Sequence, residues 1–205
     1  INGKIVFLAV GPSNANRQFR SFVIMADTAN SLNPFLKVVN GCRSGLLTPT
    51  INNTASGYWN THLDTIFRNQ NITHEQVQVV WFKSAPSTSV SDTSFPAYPL
   101  EVQDEFKESM NVLKAQFPNL KVCYMAGRTY TGYMDSALFT TAFAAIREPT
   151  AYYNGWGTKW LIEAQINGDS LLHFQSANSV ASWLGWGPYL WLSLIHISEP
   201  TRPED

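Results

Sequence analysis

Residues 4–10, Lys-Ile-Val-Phe-Leu-Ala-Val, run directly into Gly11, Pro12, Ser13 and Asn14. From Ile5 to Val10 there is no polar residue, the pattern of a strand covered on both faces, as in a parallel sheet. Gly11 and Pro12 stop it. A hydroxyl at the carboxyl end of a central strand, with a helix starting just after, lies in the crevice where open α/β sheets bind ligands. The same residues also suit a plain strand-to-helix connection in which Ser13 or Asn14 is the helix N-cap. The two readings differ in whether the Ser13 hydroxyl is used by the helix or left free.

The rest of the chain alternates in the same sense. Residues 18–28 carry apolar side chains near helical spacing, and residues 35–40 read as a second strand ended by Gly41. A helix is expected over 56–69, a third strand over 77–82 and a Ser, Thr and Pro-rich loop over 85–96. The clearest amphipathic helix spans 99–117, with Leu100, Val102, Phe106, Met110, Leu113 and Phe117 near one face. A fourth strand over 120–125, a helix over 152–165 and a fifth strand over 171–174 complete the pattern. Strand and helix in regular alternation predict one α/β domain, a three-layer α/β/α arrangement with a mainly parallel sheet. In such a sheet the loops at 11–16, 41–45, 83–91 and 127–133 share one side.

The chain's 205 residues suffice for a single core. Charged residues are only 14% and aromatics 13%, with seven Trp, so amides, hydroxyls and aromatic rings must cover much of the surface. That surface suits a protein that handles sugars outside the cytoplasm, secreted or periplasmic. The formal net charge of −1, with no basic stripe, points away from nucleic acid. No apolar segment approaches the ~20 residues of a membrane span. No His, Cys, Asp and Glu spacing reads as a metal site, and no cofactor motif is present. Cys42 and Cys123 are expected to be buried thiols. The oligomeric state is not readable from the sequence.

Residues 192–202, Leu-Ser-Leu-Ile-His-Ile-Ser-Glu-Pro-Thr-Arg, resemble the read-through translation of a sequencing-library adaptor. Residues 192–205 are therefore set aside from the fold, and residues 1–191 are treated as the domain. The expectation is that native sequence at both ends is missing.

Gly11-Pro12-Ser13-Asn14 resembles the first block of the SGNH hydrolases, also called GDSL-type esterases, in the variant found among carbohydrate acetylesterases. The resemblance implies a flavodoxin-like α/β/α fold, with Ser13 as nucleophile and its own N–H as an oxyanion donor. Residues 39–45 resemble the second block, which supplies a glycine N–H to the oxyanion. Gly45 is the better match and Gly41 the alternative; a glycine admits the close approach that the role requires. The third block normally carries Gly-x-Asn-Asp, and here its Asn is absent. Lys83 stands near that place, as a substitute donor or as an ordinary surface lysine. Residues 126–130 resemble a segment of a bacterial branch of the superfamily, which makes Arg128 and Tyr130, with Asn14, candidates for lining the pocket.

The fifth block, Asp-x-x-His, supplies the general base and does not appear within residues 1–191. His62, His74 and His173 are expected on or beside helices or the last strand, away from the crevice loops, and His196 falls in the tail. A serine needs a base within hydrogen-bond reach. The resemblance thus implies a serine esterase that removes an O-acyl group, expected to be O-acetyl, from a carbohydrate, with this chain inactive or nearly so. Two other classes fit the residues: a non-catalytic carbohydrate-binding module on the same fold, and a small-anion site at the helix that follows the first strand.

Overall fold

The computed structural model describes residues 3–29, 31–86, 92–132 and 147–188. The tail, and parts of the loops at 83–91 and 127–133, lie outside the described residues. Five strands form one sheet: β1 (Ile5–Val10), β2 (Leu36–Asn40), β3 (Val77–Phe82), β4 (Val122–Met125) and β5 (Trp183–Trp186). Their order is β2-β1-β3-β4-β5, and every pairing is parallel. The chain leaves β1 toward β2 on one side and leaves β3 toward β4 on the other. The strand order therefore reverses between β1 and β3, the place where such sheets form a ligand crevice.

Burial explains why the strands read as they do. Val6, Leu8 and Val10 are fully buried on one face with Val80, Phe82, Cys123, Met125 and Leu184. That face is covered by Phe67 of α3 (Asp64–Gln70), by Val102, Phe106, Met110 and Leu113 of α4 (Ala97–Gln116), and by Leu161 of α5 (Thr150–Ile166). The opposite face carries Ala9, Trp81 and Ala126, which pack with Ala15 and Phe19 of α1 (Ser13–Asp27). Phe19 stacks on Trp81 at 5.7 Å and meets Phe7 edge-on at 5.5 Å. Each such side chain taken from water contributes roughly 1.5–3 kcal/mol, so burial on both faces is what holds a parallel sheet together. The result is a three-layer α/β fold.

Several elements differ from the sequence expectation. The segment at 171–174 is not a strand: Ser170–Leu172 form a 3-10 turn, because the Asp169 carboxylate accepts from the Leu171 N–H and bends the chain there. The fifth strand is Trp183–Trp186, added beside β4 where the Trp183 N–H donates to the Lys121 carbonyl. The helix expected over 56–69 divides into a π-helical turn, Tyr58–Leu63, followed by α3. A short helix α2, Thr48–Asn52, precedes it. α1 starts five residues earlier than its apolar spacing indicates, at Ser13. Cys42 and Cys123 are free and buried, as expected. Among the described residues no helix is long and apolar enough to cross a membrane.

The α4/α5 contact depends on Gly157, where a Cβ would lie 2.6 Å from the Pro99 carbonyl oxygen and 2.6 Å from Val102 Cγ1. Alanine normally favours a helix by ~1 kcal/mol over glycine, but here the overlap reverses the sign. Gly157→Ala is expected to lower the unfolding free energy in urea by about 1–3 kcal/mol. Unchanged or increased stability would contradict the tight packing described.

Candidate active site

The crevice is built by backbone contacts between loops that leave the carboxyl ends of β1, β2, β3 and β4. Gly11 lies so close to β3 that a Cβ would overlap the Lys83 carbonyl oxygen and fall 2.6 Å from Ala15 Cβ. Only glycine permits that approach. The Gly11 carbonyl accepts from the Arg43 N–H at 3.0 Å, and the Lys83 N–H donates to the Val10 carbonyl at 3.0 Å. Thr48 donates its N–H to the Ala85 carbonyl at 3.1 Å, and the Ala126 N–H donates to the Phe82 carbonyl at 2.9 Å. Four loops are thereby locked in one register.

Ser13 is the first residue of α1, with Pro12 at the N-cap. Neither Ser13 nor Asn14 is the cap, because the chain turns helical one residue too early; the Asn14 side chain instead accepts from the Ala15 N–H at 2.8 Å. The Ser13 side chain is exposed, and among the described residues nothing hydrogen-bonds its hydroxyl. The N–H groups of Ser13 and Asn14 belong to the first turn, where a helix has no internal acceptor for them. The positive end of the helix dipole adds to their pull on an anion.

The two glycines proposed for the oxyanion part company. Gly41 is buried, its N–H donates to the Ala9 carbonyl at 3.0 Å, and a Cβ there would meet Leu8 and Leu63 at 2.8–3.0 Å. Gly41 therefore holds the sheet and has no N–H to offer. Gly45 is exposed, adopts φ +71° and has open space around its Cα. Arg43 and Cys42 fix this loop, the latter by donating its N–H to Asn40 Oδ1, while Asn40 Nδ2 reaches Asn16 Oδ1 of α1 at 2.8 Å.

Lys83 is not a surface lysine. It is fully buried, and its ammonium donates to Gln18 Oε1 of α1 and to Thr129 Oγ1 beyond β4, each at 2.8 Å. Gln18 Nε2 also reaches Thr129 Oγ1 at 3.2 Å, which closes a three-residue cluster across the crevice floor. Burial, with the Arg128 charge nearby, pulls Lys83 down to about 7, against a smaller opposing effect of Cys42. Burial in turn pushes the Cys42 thiol up to about 12, opposed by Lys83. Two of the three ammonium donors of Lys83 are thus turned toward Gln18 and Thr129.

Arg128 is 8% exposed, and its Nε has no hydrogen-bond partner among the described residues. Burial lowers its pKa, partly offset by Tyr98. Tyr98 is raised by burial. Asn154 of α5 is also fully buried and reaches the Ser84 carbonyl through Nδ2 at 3.4 Å. Tyr130 is half-buried and folds over Gly132, where a Cβ would overlap its hydroxyl. Glu148 holds this stretch: its carboxylate accepts from the Thr131 N–H and hydroxyl and from the Tyr152 N–H.

His62 lies nearer the crevice than its sequence position suggests. Its ring stacks on Tyr58 at 5.8 Å, and the Arg43 guanidinium sits 5.9 Å from that tyrosine ring. Its Nε2 is buried and unpartnered among the described residues. His74 and His173 both precede strands and so sit at the opposite end of the sheet. His74 contacts Asp64 at 3.3 Å and the Gln116 carbonyl at 3.1 Å; His173, which is not on a strand, contacts Ser176. Among the described residues no cluster of three or more His, Cys, Asp or Glu gathers to hold a metal.

Gln18, Thr129, Tyr98 and Asn154 were not singled out by the sequence. Asn154 had a signal, since it falls on the buried stripe of α5 with Ala151, Thr158 and Leu161. A polar residue on such a stripe must find a buried partner. A scan of the chain against protein-family models finds no match, and a search of curated proteins finds none either.

The Lys83 cluster makes stability depend on pH. An unfolded lysine titrates near 10.4. With the folded value near 7, the unfolded chain binds more protons between these limits, and stability rises with pH across that window. Cys42 acts in the opposite sense only once unfolded thiols ionise, above ~8.5. Between pH 7 and 8.5 wild type is expected to gain roughly 1–2 kcal/mol relative to Lys83→Met in urea titrations. Parallel pH dependence of the two proteins would contradict a dry, proton-losing lysine.

Proposed function

We propose that this chain is a serine esterase domain, with Ser13 as nucleophile and an O-acylated carbohydrate as substrate. The observation that carries the reading is the state of Ser13: an exposed, unpartnered hydroxyl at the first position of a 15-residue helix, at the point where the strand order reverses. Beside it are open N–H groups at Ser13 and Asn14, and the left-handed Gly45 loop is tied to Gly11 through Arg43. The motif resemblance of residues 11–14 to SGNH hydrolases, and the amide-rich, aromatic composition, point the same way.

In this reading Ser13 Oγ attacks the acyl carbon, its proton passes to a base, and the carbonyl oxygen gathers negative charge. The N–H groups of Ser13 and Gly45 receive that charge, the largest single contribution such sites make. The sugar oxygen leaves with a proton, and water then releases the acid from the acyl-serine. Among the described residues no imidazole or carboxylate touches Ser13, so its acylation is expected to be slow. The same observation favours one second reading, a sugar-binding module on this scaffold.

Prolonged incubation with a fluorophosphonate probe separates the two. The chain is expected to take up one phosphonyl group, detected as an intact-mass increase, and Ser13→Ala is expected to take up none. Equal labelling of both proteins, or none of either, would remove Ser13 as nucleophile and leave the binding module.

A further inference from the structure

Arg128 presents a difficulty that the esterase reading does not resolve. A guanidinium has five donors and no means of losing its charge in a protein. Here it is 8% exposed, its buried Nε is unpartnered, and no hydrogen bond or ion pair ties it to any described residue. Burying a charge without a partner is among the most expensive things a fold can do. The neighbouring cation makes it worse: Lys83 lies close enough for the two charges to repel.

Among the described residues no carboxylate pairs with Arg128. Glu105 is held by the Thr48 hydroxyl, and Glu148 by Thr131 and Tyr152. Glu101 and Glu105 act on Tyr98, and neither pairs with Arg128. Lys83 donates only to neutral oxygens, those of Gln18 and Thr129. Among the described residues, the crevice floor therefore holds a buried guanidinium, beside a buried lysine whose charge is lost as pH rises through about 7, and no anion paired with either. It adjoins α1, because the Lys83 ammonium donates to Gln18 of that helix, and Gly11, two residues before Ser13, rests against the Lys83 backbone carbonyl.

We propose that Arg128 receives a carboxylate of the substrate, so that the O-acylated sugar this site takes is an acidic one of the uronic acid type. The planar fork of a guanidinium matches the two oxygens of a carboxylate in a bidentate pair. A guanidinium with no anion paired to it among the described residues calls for a negative charge. The inference deepens the proposed esterase reading by naming the substrate class, and rests on it for the ester alone; recognition of the carboxylate does not involve the Ser13 hydroxyl.

The test is a binding titration on Ser13→Ala, followed by the Nε–Hε resonance of Arg128 in nitrogen-15 NMR, with glucuronate, glucose and inorganic phosphate as probes. Glucuronate is expected to shift that resonance and to bind at least tenfold more tightly than glucose or phosphate. Arg128→Lys, which keeps the charge and loses the fork, is expected to weaken glucuronate at least tenfold with an unchanged circular dichroism spectrum. Glucose or phosphate binding as tightly as glucuronate would overturn the proposal. So would an unmoved Arg128 resonance at the highest glucuronate concentration, or no binding at all. If glucuronate binds while wild type takes up no fluorophosphonate, the carboxylate site stands and the esterase reading falls; labelling without a preference for glucuronate has the reverse meaning.

Discussion

The approach of Gly11 to the Lys83 carbonyl sets the position of everything at the carboxyl end of the sheet. Two adjacent parallel strands, β1 and β3, end at the same level, and the chain after β1 must turn at once to form α1. A side chain at position 11 would push the turn away from β3. With glycine there, α1 starts at Ser13, directly above the strand-order reversal, and its unfilled N–H groups face outward. The Gly11 carbonyl, held by Arg43, then brings the loop after β2 to the same place. One missing Cβ thus fixes the distance between a hydroxyl, a helix N-terminus and a glycine loop.

The polar layer beneath this turn differs from an ordinary core. Lys83, Gln18 and Thr129 bond to one another across the gap between α1 and the end of β4, with Arg128 alongside. A buried polar network that is fully paired rigidifies its surroundings, and a partly paired one is costly. Here the lysine is paired and the arginine is not. The paired part supports the start of α1. The unpaired part is the kind of charge a fold retains for a ligand.

The strands that read clearly in the sequence are the central ones, β1 and β3, because burial on both faces leaves apolar runs, broken in β3 only by Gln78. β5 is not legible for the opposite reason: Trp183 and Trp186 are exposed, glycine interrupts the strand, and pairing with β4 alone defines it. The place of Ser13, at the turn between β1 and α1, is legible because Gly11 and Pro12 end a buried apolar run. The choice between Gly41 and Gly45 was not, since it depends on which N–H the sheet consumes. Nor was the burial of Lys83, whose acceptors lie 65 and 46 residues away. No local pattern reports a partner at that distance.

The central claim is that Ser13 and the N–H groups around it receive a tetrahedral oxyanion. A boronic acid tests this: when Ser13 Oγ adds to boron and its proton is released to buffer, the boron becomes tetrahedral and anionic, and the surrounding N–H groups stabilise that state. Boron-11 NMR of methylboronic acid is expected to show a tetrahedral resonance with the wild-type chain, absent with Ser13→Ala. A spectrum that stays trigonal with wild type, or turns tetrahedral with both proteins, would contradict the account.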